Sequence, residues 1–343
     1  MTAAVAPVRV GVIGTGIMGA DHARNLHRFV SGAVIAAVTD WDADRAAAVA
    51  AEIPGCRVLT DGFAIIADAD VDAVLIASAD HTHAELVLAA IAAGKPVLCE
   101  KPLAPTVAEC ITVVQAEQDA LRDGRIERPV VTLGFMRRFD PGYVQLRDTL
   151  RSGAIGTPLL VHHVSRGVSS GPGATSESSV TGSSVHEFDI VPWLLGSPIV
   201  EVSWHSGRPT AVSDFQDPQL LHLRTADGVL TVQETFLNAR YGYVIGAEVV
   251  GETGTAVLPQ PAAVVTGGNL SVGHGLAADW RPRFADAYRL ELQEWVDAII
   301  AGRESTLATA RDGLVAAVVS DAVIASMHAG GAATAVALPD VAS

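Results

Sequence analysis

The chain of 343 residues is poor in cysteine and in positive charge, and it has no long unbroken apolar run. Its three cysteines, Cys56, Cys99 and Cys110, are few and odd in number, and no pair has metal-ligand spacing. They read as reduced thiols of a cytoplasmic protein rather than as a disulfide framework. Lys and Arg total 23 against 38 Asp and Glu, a net charge of −15. That balance excludes the broad basic face that nucleic acid or an anionic membrane requires, while leaving room for a local basic pocket. Mean hydropathy is +0.34, yet no stretch reaches the roughly 18 uninterrupted apolar residues of a membrane span. The nearest, GLVAAVVSDAVIAS at 313–326, is broken by Ser320 and Asp321 and reads as a buried helix. The start, MTAAVAPVRVGVIGTG, runs into a strand with no charged segment and apolar core ahead of it, so no secretory leader is expected. The eleven histidines include no helical H-x-x-x-H pair with an acid, and no metal site is expected.

What is present is a change of grammar partway along. At this length two domains are expected, a dinucleotide-binding one over 1–125 and an α+β one over 126–343. In the first, apolar runs alternate with helical patterns: VRVGVIG (8–14), AVIAAVTD (33–40), DAVLIAS (72–78), PVLCE (96–100) and PVVTLGF (129–135) are separated by helix-like segments. Fully apolar strands alternating with helices imply a doubly wound parallel sheet of Rossmann type. After about residue 140, strand pairs meet at turn residues, as in LLHLRTADGVLTVQETF (220–236) and YVIGAEVVGETGTAVL (243–258). These predict a large, mostly antiparallel open sheet. The segment 167–184, rich in Gly and Ser, is expected to be a loop over a ligand cleft.

Gly14-x-Gly16-x-x-Gly19 follows the first strand directly and opens a helix. In that context the glycines, with Ile17 and Met18 between them, predict a pyrophosphate cradle at a helix N-terminus. Asp40 closes the second strand, where a carboxylate accepts from the adenosine ribose hydroxyls and repels a 2′-phosphate. The expected cofactor is therefore NAD rather than NADP.

CEKPLAPT (99–106), SADHTHAELVLAAIAAGKPVLCEKPL (78–103), GFMRRFDPGY (134–143) and HEFDIVPWLLG (186–196) together resemble the Gfo/Idh/MocA oxidoreductases over about 8–335. Within them the chain looks most like the inositol 2-dehydrogenase branch of actinobacterial type. The resemblance implies roles. Lys101 stands beside the nicotinamide and stabilises alkoxide charge on the reacting oxygen. Glu100 holds the cofactor or orients Lys101. Ser78 and His83 line the cofactor pocket, and Arg138 is a further candidate there. His186 carries the hydroxyl proton, as an imidazole titrating near neutrality can. Asp189, at i+3 on the same helix face, orients His186 or binds a substrate hydroxyl.

The chain departs from the pattern at Gly182, where the family carries an acid four residues before the histidine. Ser165 and Gly167 stand where the inositol branch tends to have His and Asn, with His162, His163 and Glu177 as alternative polar groups. Tyr241 and Tyr243 resemble residues near the substrate. The implied activity is NAD-dependent oxidation of a secondary hydroxyl of a polyol, a cyclitol or sugar, to a ketone. A keto-cyclitol or keto-sugar reductase, a family member using tightly held NAD for transient oxidation, and a non-catalytic NAD-binding sensor are the alternatives. A homo-oligomer, a tetramer by resemblance, is expected to cover the open face of the second sheet.

Overall fold

A computed structural model describes residues 6–260 and 263–341. The chain forms two compact units. One comprises Met1–Met136, Asp286–Ala317 and Pro339–Ser343, the other Arg137–Ala285 and Val318–Leu338. The first unit thus runs past the expected boundary at 125 to Met136 and includes two segments near the C-terminus.

Six parallel strands build the first unit's sheet: β1 (Val8–Ile13), β2 (Ala33–Thr39), β3 (Arg57–Val58), β4 (Ala73–Ile76), β5 (Val97–Cys99) and β6 (Val131–Leu133). They lie in the order β6-β5-β4-β1-β2-β3, and a short antiparallel strand, Ala308–Thr309, edges β6. All four residues of β4 are fully buried. A parallel strand covered on both faces has no polar side to show, so its sequence is an unbroken apolar run. The order reverses between β1 and β4, which opens a crevice beyond their carboxyl ends, the general ligand position in such sheets.

The second unit's sheet contains β7 (Pro158–Arg166), β8 (Ile199–Ser206), β9 (Gln219–Thr225), β10 (Leu230–Phe236), β11 (Val244–Gly251) and β12 (Thr255–Val257). Its order is β12-β11-β7-β10-β9-β8, with Thr334–Ala335 beside β8. Every pairing is antiparallel except β7 with β10. The two central strands have an inverted polarity. On β10 the buried residues are Thr231, Gln233 and Thr235, while Leu230, Val232, Glu234 and Phe236 are part-exposed. On β7 the buried residues are Val161, His163 and Ser165. Register sets Gln233 beside His163 and Thr235 beside Ser165. The buried centre of this sheet is therefore polar.

The segment expected as a loop is partly helical. Ser176–Ser179 forms a single α turn capped by Thr175, Val180–Ser184 winds as a π-helix, and helix Val185–Leu195 follows, ending at Gly196 with a left-handed φ of 69°. Among the described residues, no helix is long and apolar enough to cross a membrane, and no group of three or more His, Cys, Asp or Glu is placed to hold a metal ion.

Candidate active site

In the first unit the backbone makes the cradle. Gly14 has φ of +90°, and a Cβ there would lie 2.6 Å from the Ala77 carbonyl oxygen and the Ser78 nitrogen. The chain leaving β1 passes directly over the end of β4, and only glycine fits. A Cβ on Gly19 would fall 1.9 Å from the Gly14 carbonyl oxygen, so the helix Ile17–Phe29 packs against the loop at backbone distance. A Cβ on Gly16 would meet nothing within 4 Å outside its own helix and chain neighbours. No side chain caps that helix at Gly16, and no acid sits in its first turn, so its positive end is not neutralised by its own residues. An open, glycine-lined helix N-terminus fits a pyrophosphate.

Asp40, its side chain almost wholly buried, ties the loop down. One carboxylate oxygen accepts the Thr15 N–H at 2.6 Å and the Thr15 hydroxyl at 3.2 Å; the other accepts the Asp42 N–H at 2.9 Å. Arg45 lies 3.7 Å from Asp40 and donates to Asp42 at 2.9 Å, with its guanidinium over the exposed Trp41 ring. Arg45 thus already has two carboxylate partners.

The structure also shows what holds the Glu-Lys-Pro segment. Glu100 is buried, accepts the Lys101 N–H at 3.2 Å, and stands 2.7 Å from His22 Nε2. Burial pushes the Glu100 carboxyl up, but His22 and Lys101 together outweigh it and hold it below the usual carboxylate range. His83 is buried with Nδ1 2.7 Å from the Pro102 carbonyl oxygen and Nε2 3.2 Å from that of Ser78. It therefore bridges two backbone segments, and the Ser78 hydroxyl pairs with Thr82 at 2.6 Å. His22 went unnoticed in the sequence. Its only signal is a histidine inside the buried stripe Gly19, Ala20, Ala23, Leu26 of a surface helix.

In the second unit the site is made of side chains. His186 is half-buried at the start of helix Val185–Leu195, and Asp189 is buried one turn on. Arg138 meets Asp189: its Nε lies 3.1 Å from both carboxylate oxygens and its Nη2 2.5 Å from Oδ1. Such a forked pair fixes both partners in direction as well as distance.

The departures from the expected pattern resolve unequally. A Cβ at Gly167 would stand 3.0 Å from the Leu237 carbonyl oxygen, a tight contact that leaves little room for a side chain there. A Cβ at Gly182, which is exposed, would meet nothing within 4 Å. Ser165 and His163 lie on the buried face of β7, whereas His162 is exposed on the other face. His163 pairs with the Tyr143 hydroxyl at 2.7 Å, and Glu177 is 3.3 Å from His328. Tyr241 is exposed, while burial pushes the Tyr243 phenol up to about 12.

Residues 8–122 match an oxidoreductase family described by its NAD-binding Rossmann fold, and residues 143–257 match the GFO/IDH/MocA C-terminal domain. The chain belongs to the Gfo/Idh/MocA oxidoreductases, and its cofactor is NAD. Among its relatives, it is 51% identical over 330 residues to inositol 2-dehydrogenase 2 of Paenarthrobacter aurescens, covering 96% of this chain and 98% of that one. It is 49% identical to inositol 2-dehydrogenase 2 of Saccharopolyspora erythraea, covering 95% of each. The crystal structure of myo-inositol dehydrogenase from Lactobacillus casei, in complex with NAD(H) and myo-inositol, superposes with a TM-score of 0.91 at 31% identity, covering 98% of this chain and 99% of that one.

Proposed function

We propose that the protein oxidises one secondary hydroxyl of a cyclitol, myo-inositol or a close derivative, to the ketone. The observation that carries this reading is the His186–Asp189–Arg138 arrangement on a chain that shares about half its residues with inositol 2-dehydrogenases. Bound NAD supplies the hydride acceptor, held by the Gly14–Gly19 cradle, with Asp40 toward the adenosine ribose. Lys101 donates a hydrogen bond to the reacting oxygen and stabilises negative charge as it develops there. His186 takes the hydroxyl proton, so hydride and proton leave the same H–C–O–H unit and a C=O remains. Asp189, directed by Arg138, accepts from a neighbouring substrate hydroxyl. The same groups serve ketone reduction when His186 starts protonated.

A second reading concerns the substrate's size. The open space at Gly182 favours a cyclitol carrying a substituent on that side. The outer face of the second sheet supports a homo-oligomer, with a tetramer the expected form. Leu160 and Leu220 are exposed there, and Leu230, Val232 and Phe236 are part-exposed beside them, interleaved with the Arg166–Glu234 ion pair; a mixed face of apolar and paired charged groups suits a partner subunit. The few cysteines, none of them in a disulfide among the described residues, fit a reducing, cytoplasmic setting.

The test is NADH formation with free inositols, methylated or glycosylated inositols, aldoses and methyl glycosides, each repeated with NADP. Turnover on a cyclitol with NAD is the expected result. Turnover confined to aldoses, or none on any polyol, overturns the reading. A preference for substituted inositols selects the second reading.

A further inference from the structure

Helix Val185–Leu195 carries the proposed proton carrier, yet the residue beside it, Glu187, is fully buried and takes no part in the scheme above. Its carboxylate accepts a hydrogen bond from Arg137 Nη1 and another from Gln233 Nε2 at 3.1 Å. His163 Nδ1 stands 3.3 Å from the same carboxylate, and His163 Nε2 is 2.7 Å from the Tyr143 hydroxyl. One residue before His186 on the other side, Val185 is preceded by Ser184, whose hydroxyl is 3.0 Å from that of Thr235. Gln233 Nε2 also reaches the Thr235 hydroxyl at 3.0 Å. The first turn of the helix is thus fastened to the polar centre of the sheet on both sides of His186, at Ser184 and at Glu187.

Charge adds to the fastening. Burial opposes the Arg137 charge, but Glu187 more than offsets it, so the guanidinium stays protonated. Burial also pushes the Glu187 carboxyl up, against the pull of Arg137. A buried guanidinium does not give up its proton, so its counter-ion is the carboxylate. His163, desolvated and beside Arg137, is held neutral. Arg137 is followed in sequence by Arg138, which grips Asp189. Consecutive arginines in one short turn, Met136–Phe139, therefore hold carboxylates 187 and 189 of one helix.

We propose that Glu187, tied to Arg137 and Gln233 with the neutral His163 packed beside it, is a positioning residue for the reaction: it fixes the rotation of the helix that presents His186 and Asp189. This rests on the proposed role of His186. A buried ion pair is weak evidence for stability, because two well-packed apolar residues often do as well. Its place here is to set direction.

The experiment uses the full-length protein, with every rate expressed per NAD-binding site and with thermal unfolding followed in parallel. Glu187→Gln keeps the shape and removes the charge. The expected result is a fall in kcat of roughly tenfold or more and a shift of about half a unit in the acid limb of the kcat/KM–pH profile. NAD affinity is expected to stay unchanged, and Glu187→Asp to recover part of the rate. A lower melting temperature with kcat and pH profile unaltered overturns the proposal, since it shows a purely structural pair. Should Glu187→Gln not fold, Tyr143→Phe removes only the hydroxyl that holds His163. A severalfold loss of kcat with the same pH shift then upholds the proposal, and no change overturns it. His186→Ala separates the two readings. If it retains turnover, the role of His186 fails. If it is inactive while the Glu187 and Tyr143 variants are silent, only the positioning proposal fails.

Discussion

The two sheets of this protein solve opposite problems. The first is apolar on both faces and makes its site from backbone, at the glycines beyond β1 and β4. The second hides a polar row, His163, Ser165, Thr231, Gln233 and Thr235, beneath a helix and makes its site from side chains that this row anchors. The difference follows from the ligands. A pyrophosphate is the same in every dinucleotide, so amide N–H groups and a helix end suffice. A polyol is told from its isomers by hydroxyl directions, which demands side chains held at fixed angles.

Four predictions sharpen that contrast. The largest effect is expected where chemistry is proposed: Lys101→Met and His186→Ala each lower kcat by about 10²–10⁴-fold while isothermal titration finds NAD binding intact. Loss of NAD binding in either variant places that residue in the cradle instead. Next come the glycines. Gly19→Ala forces a Cβ to 1.9 Å from a carbonyl oxygen and is expected to destabilise the first unit by about 1–3 kcal/mol in urea unfolding. Gly16→Ala meets no neighbour, so it leaves stability within about 0.5 kcal/mol and weakens only NAD affinity. NAD affinity unchanged in Gly16→Ala would show that the open space at Gly16 receives no pyrophosphate.

Asp40→Ser is expected to weaken NAD binding by about tenfold, as Thr15 and the ribose lose their charged acceptor. It is also expected to raise the share of turnover with NADP, read as the ratio of kcat/KM values. The smallest effect is one of pH. Glu100 is depressed in the folded state against burial's upward push, chiefly by His22. Its contribution is thus complete above the unfolded carboxylate pKa of about 4.3 and fades as pH falls through the folded value. His22→Leu is expected to move the midpoint of acid unfolding to higher pH. A midpoint unchanged by that substitution would show that the pair carries no such linkage.

The first site was largely legible in the sequence, because glycine spacing after an apolar run encodes backbone closeness directly. The second sheet was legible as strands and misleading as faces. Val232 and Phe236 on β10 look like an inward stripe by hydropathy, yet the threonines and Gln233 between them are the buried set. Alternation gives the period of a strand without saying which face is covered. The same ambiguity concealed Glu187 and Arg137, whose charge marks them as surface residues until their partners are seen. Gly167 looked like a missing hydrogen-bonding group. The nearness of Leu237, distant in sequence, leaves little room for a side chain there.

The π-helix at Val180–Ser184 bears on how this protein can vary. Such a turn holds one residue more than an α-helical turn would, and an α-helix advances about 100° per residue. Removing the exposed Gly182 would let the segment rewind as ordinary helix. Everything beyond it must then either rotate by that angle or break its ties to the sheet. The phase of His186 is therefore written in the length of the preceding turn as well as in its residues. Side-chain exchange at the exposed Gly182 is expected to cost less than an insertion or deletion within 180–184, where Val180 and Ser184 are buried.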